Sequence, residues 1–280
     1  TRNHSSAASD VYKRQTRCTA TRPSTTSLTR SSTCDPVDAR FDYLLRLGDD
    51  ALILGQQLGL WTGHGPALEE DIALTNIGLD QIGQARAWLT LAGRIEGQGR
   101  DEDRLAYFRD QAEFRNALLC ERPNGHFGDT IVRQFLFDAY AVGLHEGLSR
   151  SSDPEIAAIA RKSAKESAYH LRHSRAWMVR LGDGTEQSHN KVQQSLDDLV
   201  PYAGDLFHSD AITQAATTEG WGVDPAELRE GWEARFNDML AESGLTRPES
   251  VPEQTGGRAG RHTEQFCLLY TSPSPRDIGE

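Results

Sequence analysis

A chain of 280 residues is long enough for one large domain or two small ones, and 41 Asp and Glu against 30 Lys and Arg leave a net charge of −11. Such a surface repels phosphate backbones, which argues against nucleic-acid binding, and no run of roughly 18 apolar residues is present to cross a membrane. The four cysteines, at positions 18, 34, 120 and 267, form no C-x-x-C, so neither a zinc ribbon nor a disulfide framework is suggested, and a reducing cytoplasm is the expected location.

Residues 1–37 are rich in Ser, Thr and Arg with few large apolar side chains, and are expected to be a disordered, non-native tail. The segment 267–280, ending Thr-Ser-Pro-Ser-Pro-Arg-Asp277 and beyond, is equally foreign to the body and is expected to be a second non-native tail on a C-terminally truncated domain spanning 38–266. Inside that domain the pattern is helical. Leu44, Leu47, Ala51, Leu54, Leu58 and Trp61 recur three and four apart and predict a helix over about 40–61, stopped by Thr62-Gly-His-Gly65. Pro66 followed by Glu69, Glu70 and Asp71 starts a second, reaching about Gly93. Further helices are predicted over about 102–121, 129–150, 155–181, 187–207 and 225–242. Asp129 is read as the cap of the 129–150 helix, and Asp153-Pro154 and Asp224-Pro225 as start signals. Four long helices in two hairpins, with no strand alternation, outline an all-α bundle.

Four of these helices carry an acid in or beside the apolar stripe, where an unpartnered carboxylate costs several kcal/mol or becomes neutral. They are Asp50, Asp80, Asp138 and Glu166, 30 residues apart in the first hairpin and 28 in the second. Two similar hairpins would bring these acids to one level. Carboxylate-bridged di-iron bundles use that arrangement: a Glu from each of two helices and a Glu-x-x-His from each of the others. Here the histidine positions three residues on are Gly83 and Tyr169, neither of which replaces an imidazole, and three of the acids are the shorter Asp. The expectation is a vestigial di-iron site at Asp50, Asp80, Gly83, Asp138, Glu166 and Tyr169, with no metal, cofactor or catalytic residue in this chain. The alternative is an autonomous metalloenzyme with a surviving site around Glu166 and His170.

Other motifs are weaker. Glu186-x-x-His189 and Asp205-x-x-His208 fall outside the long stripes and read as surface or capping residues. His145-Glu-Gly-Leu-Ser149 starts like a zincin motif, but Ser149 replaces its second histidine. Gly256-Gly-Arg-Ala-Gly-Arg261 fits no phosphate-binding fingerprint and reads as a mobile connection. His64 reads as structural, Asn124-Gly125 as a turn, and the five tryptophans as core or interface anchors.

Several ordered words carry more information than any single motif: Arg46-Leu-Gly-Asp-Asp-Ala51, Trp61-Thr-Gly-His-Gly-Pro-Ala-Leu-Glu69, Thr75-Asn-Ile-Gly-Leu-Asp-Gln-Ile-Gly-Gln84, Glu121-Arg-Pro-Asn-Gly125, Asp129-Thr-Ile-Val-Arg-Gln134 and Tyr169-His-Leu-Arg172. Together they resemble the C subunits of bacterial phenylacetyl-CoA epoxidases, from about Phe41 to Phe266. The resemblance implies a ferritin-like fold and a non-catalytic, structural subunit that pairs with a catalytic A subunit. In that complex the A subunit would hold the di-iron centre and the thioester. Electrons from NADPH would arrive through a separate reductase subunit, and the aromatic ring would be epoxidised.

Overall fold

The computed structural model describes residues 36–249 and 252–271, and among them no strand occurs. Most of each expected tail lies outside the described residues. Two long antiparallel hairpins form the body. Helix α1 (Pro36–Leu60) pairs with α2 (Leu68–Glu96), and α4 (Phe127–Leu148) pairs with α5 (Pro154–Gly182). The short α3 (Glu102–Tyr107) follows α2. Helix α6 (Glu186–Ala203) packs on α4, α7 (Ala211–Thr218) on α1, and α8 (Arg229–Ser243) across α4 and α5. The last described helix is α9 (Glu264–Thr271). It runs across the boundary expected at residue 267.

Local chemistry accounts for the ends of these helices. Asp153 accepts hydrogen bonds from the amides of Glu155 and Ile156, with Pro154 in the first turn of α5, as its start signal predicts. Asp224-Pro225 instead opens a 3-10 turn, Pro225–Leu228, that leads into α8. At α4 the cap is His126, one turn before the expected Asp129. The Asp129 amide donates to His126 Nδ1, and the Asp129 carboxylate accepts from the His126 amide in return. Gly97, at φ +69°, ends α2 in the left-handed conformation.

The hairpin α1–α2 is tight because small residues stand where the helices approach. A Cβ on Gly55 would come within 2.9 Å of Ile82 Cδ1, and one on Gly78 within 3.2 Å of Leu58 Cβ. Leu44, Leu54, Leu58, Ile77 and Trp88 are fully buried in the shared core, and across the bundle Trp232 stacks on Phe236 with ring centroids 4.9 Å apart. Trp88, Trp221 and Trp232 are buried, and Trp61 and Trp177 pack against the core at partial exposure.

Two elements differ from the sequence-based expectation. The helix expected over 102–121 stops at Tyr107. Beyond it Arg109 turns inward, and the amides of Arg115 and Ala117 donate to Asp49 and Asp50, so that only two short 3-10 turns, Gln111–Glu113 and Leu118–Glu121, remain of the expected helix. Helix α7 was not expected. Its eight residues lack a long stripe, and its start is fixed by Asp210, whose side chain accepts from the amides of Ile212 and Thr213.

Candidate metal centre

Of the six positions expected to form a vestigial metal site, the structure buries two at the centre of the bundle: Asp138 on α4, and Asp50 on α1, which lines the same cavity as Gln81, Gln84 and His145. The Asp50 carboxylate faces Arg258, which donates from both terminal nitrogens at 2.9 and 2.7 Å, and the Ala117 amide at 2.7 Å. Asp80 has a side chain 43% exposed, reaching back to His170 Nε2 at 3.1 Å. Glu166 accepts from Gln84 Nε2 at 2.9 Å and lies 3.3 Å from Lys162 Nζ. A Cβ on Gly83 would meet no atom within 4 Å, and Tyr169 is 47% exposed, so both point outward. The four acids are therefore each met by a different partner rather than by one another. Among the described residues, no three His, Cys, Asp or Glu side chains are grouped to hold a metal ion. The alternative pair is divided in the same way, with Glu166 held by Gln84 and His170 by Asp80.

On α2 and α5 the expected positions and the fully buried ones differ by one residue, about 100° of rotation on an α-helix. The residues that α2 buries are Leu74, Ile77, Gln81, Gln84, Ala85 and Trp88, and those that α5 buries include Ile156, Ala160, Ser163, Ser167, His170, Ser174 and Met178. Gln81/Gln84 and Ser167/His170 are thus the inward pairs three residues apart. Small hydroxyl and amide residues hide this stripe from a reading that follows large apolar residues. Leu74 and Trp88 on either side of Gln81 were the available signal.

The interior they form is polar, with the carboxyl of Asp138 at its centre. His145 Nδ1 lies 2.8 Å from Ser167 Oγ, and burial, reinforced by His170, lowers the imidazole to a pKa of about 3, so it is neutral at physiological pH. Asp138 accepts from Gln134 Nε2 at 2.7 Å and from Ser174 Oγ at 2.8 Å. Burial raises its carboxyl to about 6 against the opposing pull of His170 and those two hydrogen bonds. Both amide atoms of Gln81 and Nδ1 of His170 are buried without a partner. Asp50, Gln81, Gln84, Trp88, Ala141 and His145 are among the residues lining a cavity with room for about one water molecule. A pair of irons needs several anionic oxygens and two imidazoles. Amides, hydroxyls and two carboxyls that are already held, Asp138 by two neutral donors and Asp50 by Arg258, do not fit that group.

Beside this layer sits a cluster of a different kind. Asp49 forms a two-pronged ion pair with Arg109 and accepts from the Arg115 amide at 2.8 Å. Glu121 accepts from His262 Nδ1 at 2.9 Å, the Thr263 amide at 2.6 Å and Asn116 Nδ2 at 3.1 Å. Asp205 accepts from the amides of Leu118, Gly256 and Gly257 at 3.0 to 3.1 Å. The Gly256-Gly-Arg258 segment, expected to be a mobile connection, is therefore an ordered strap. A Cβ on Gly257 would stand 2.1 Å from the Asn116 carbonyl oxygen, so glycine lets the backbone approach. Desolvation is the largest single influence on Arg258 and opposes its charge, but the attraction of Asp50, Tyr140 and Asp205 and the hydrogen bond to Asp50 together outweigh it, and the guanidinium is raised above its ordinary pKa. Sequence reasoning missed the strap, whose signal was Gly-Gly-Arg following an acidic helix end.

The remaining motifs have local roles. His189 Nδ1 meets the Gly182 carbonyl at the end of α5 at 2.7 Å, and the exposed His64 ring lies 3.3 Å from the Thr62 carbonyl. Asn124 in its turn donates to the Gln57 carbonyl at 2.7 Å and accepts from Arg133.

Residues 26–272 match the family described as phenylacetic acid catabolic protein. The chain belongs to that family. It is 50% identical over 224 residues to the C subunit of the 1,2-phenylacetyl-CoA epoxidase of Escherichia coli (strain K12), a match covering 80% of this chain and 90% of that relative. Among solved structures it is similar to a Synechococcus protein with aldehyde deformylating oxidase activity, at a TM-score of 0.53 and 16% identity, covering 76% of this chain and 95% of that one. At that identity the likeness concerns fold alone, and the fold is an all-α, ferritin-like helical bundle. No helix among the described residues is long and apolar enough to cross a membrane.

Proposed function

We propose that this chain is a non-catalytic, structural subunit of a phenylacetyl-CoA epoxidase and that it pairs with and stabilises the di-iron catalytic A subunit. The observation that carries this reading is the donor set at the bundle centre. The inward pairs are Gln81/Gln84 and Ser167/His170, where a di-iron bundle uses Glu-x-x-His twice. The carboxyl of α1 that could have completed the set, Asp50, is bound by Arg258 instead. Family membership and the name of the E. coli relative support placement in such a complex. The chain then contributes a rigid helical surface, and the chemistry belongs to its partner.

Iron analysis tests the proposal. The isolated chain is expected to carry only trace iron, and the complex purified after co-expression with the A subunit is expected to carry two irons per A subunit. Two irons retained per isolated chain, with the absorption of an oxo-bridged ferric pair, would overturn it.

A further inference from the structure

Among the described residues, large hydrophobic side chains are exposed at few places, and most of these lie on one side of the bundle. Leu68 is 70% exposed, Ile72 50% and Leu79 64%, all on the outer face of α2. Their spacing of four and seven, continued by Gly83, follows a helix-packing seam, in which successive knobs stay aligned along one line of the helix. Among the described residues nothing covers that line, and at Gly83 it opens into a notch. Helix α5 lies alongside, tied to α2 by Gln84–Glu166, His170–Asp80 and His173–Glu70, and it places Tyr169 beside the same seam.

The rim on the α5 side is basic, against the charge of the whole chain. Lys162, Lys165, Arg172 and Arg180 are exposed there. Lys162 is paired with Glu166, and Arg172 and Arg180 lie over the rings of Tyr169 and Trp177, at 5.3 and 5.2 Å from their centroids. Among the described residues, Lys165, Arg172 and Arg180 meet no carboxylate. An apolar line with a notch and one cationic border complements an amphipathic helix whose apolar stripe is flanked by acids. A second copy of this chain would bring the same cations against each other.

We propose that the outer α2–α5 face is the surface on which the A subunit docks, through an acidic amphipathic helix laid along Leu68, Ile72 and Leu79. This rests on the reading of the chain as a structural partner of that subunit. The apolar line supplies the affinity, and the α5 cations supply orientation and encounter rate.

The test measures binding of the purified full-length chain to the purified A subunit of the same epoxidase. The double substitution Ile72→Asp/Leu79→Asp is expected to weaken binding by at least about 100-fold while leaving the helical circular dichroism unchanged. Gly83→Trp, which fills open space without adding charge, is expected to weaken it as well. Lys165→Glu/Arg172→Glu should cost about tenfold, mainly in association rate, and reduce the salt dependence. Phe108→Asp, on an exposed aromatic beyond the far end of α2, should bind like the parent chain. If the parent chain binds and both the Ile72→Asp/Leu79→Asp and Gly83→Trp variants, shown folded, bind equally well, the docking face is wrong although the partner is right. If the parent chain binds no A subunit, the structural-subunit reading itself falls. Self-association of the parent chain that the aspartates abolish, with A-subunit binding intact, assigns the face to a second copy and overturns the proposal.

Discussion

Asp50 and Asp138 are both shut away from water, yet the protein solvates them in different ways. Asp50 receives a guanidinium and a backbone amide, and its neighbours Asp49, Glu121 and Asp205 are likewise met by cations or amides. Asp138 receives only a side-chain amide and a hydroxyl, in a layer where Gln81 and His170 still have atoms without partners. The first region is a charge network that ties distant segments together and meets each buried acid with a cation or an amide, although Asn116 Oδ1 and Thr263 Oγ1 within it have no partner. The second is a polar layer with incomplete hydrogen bonding around a carboxyl that ionises only above a pH of about 6. The difference shows that burial of an acid does not by itself mark a metal centre; its donors decide.

The comparison can be broken most severely at Arg258. Arg258→Met leaves Asp50 buried without its cation and should destabilise the chain by about 3–5 kcal/mol in urea unfolding, whereas Asp50→Leu/Arg258→Met should recover much of that loss. An equal loss in single and double variants would mean that the strap, rather than the ion pair, carries the stability.

Asp138 should behave in the opposite sense. Its folded pKa of about 6 lies above the ordinary carboxyl value near 3.9, so between these limits the folded state holds the proton more tightly than the unfolded state. Stability therefore falls as pH rises through that window, by up to about 3 kcal/mol, and the penalty is complete above it. Asp138→Asn should flatten this slope between pH 4 and 6 and be neutral or stabilising at pH 7. A variant that loses stability at pH 7 with the slope intact would place the charge elsewhere.

Smaller effects sharpen the contrast. Gly257→Ala should cost about 1–3 kcal/mol by pushing the strap from the Asn116 carbonyl, seen as a lower midpoint in thermal unfolding. Gln81→Met removes two unpartnered buried atoms and should be neutral or stabilising by about 1 kcal/mol. A clear destabilisation by Gln81→Met would mean that a bound water completes that layer.

Much of the framework was legible because it is written locally. The periodicity of α1, α2, α4 and α5 and the Asp153-Pro154 start need only nearby residues, and each hairpin follows from a short connection. The centre was less legible because inward and outward positions differ by one residue. On α5 the large outward Tyr169 drew attention that belonged to Ser167 and His170. The charge network was illegible for another reason. Arg258 meets Asp50 across 208 residues, and Glu121 meets His262 across 141, distances over which no periodicity speaks.

That sequence separation bears on how the molecule is made. During synthesis Asp50 emerges long before Arg258, so a growing polypeptide must hold the first hairpin with its carboxylate still hydrated or protonated. Only when the Gly-Gly-Arg segment leaves the ribosome can the hairpin close around a neutralised acid, which places the locking step late in translation.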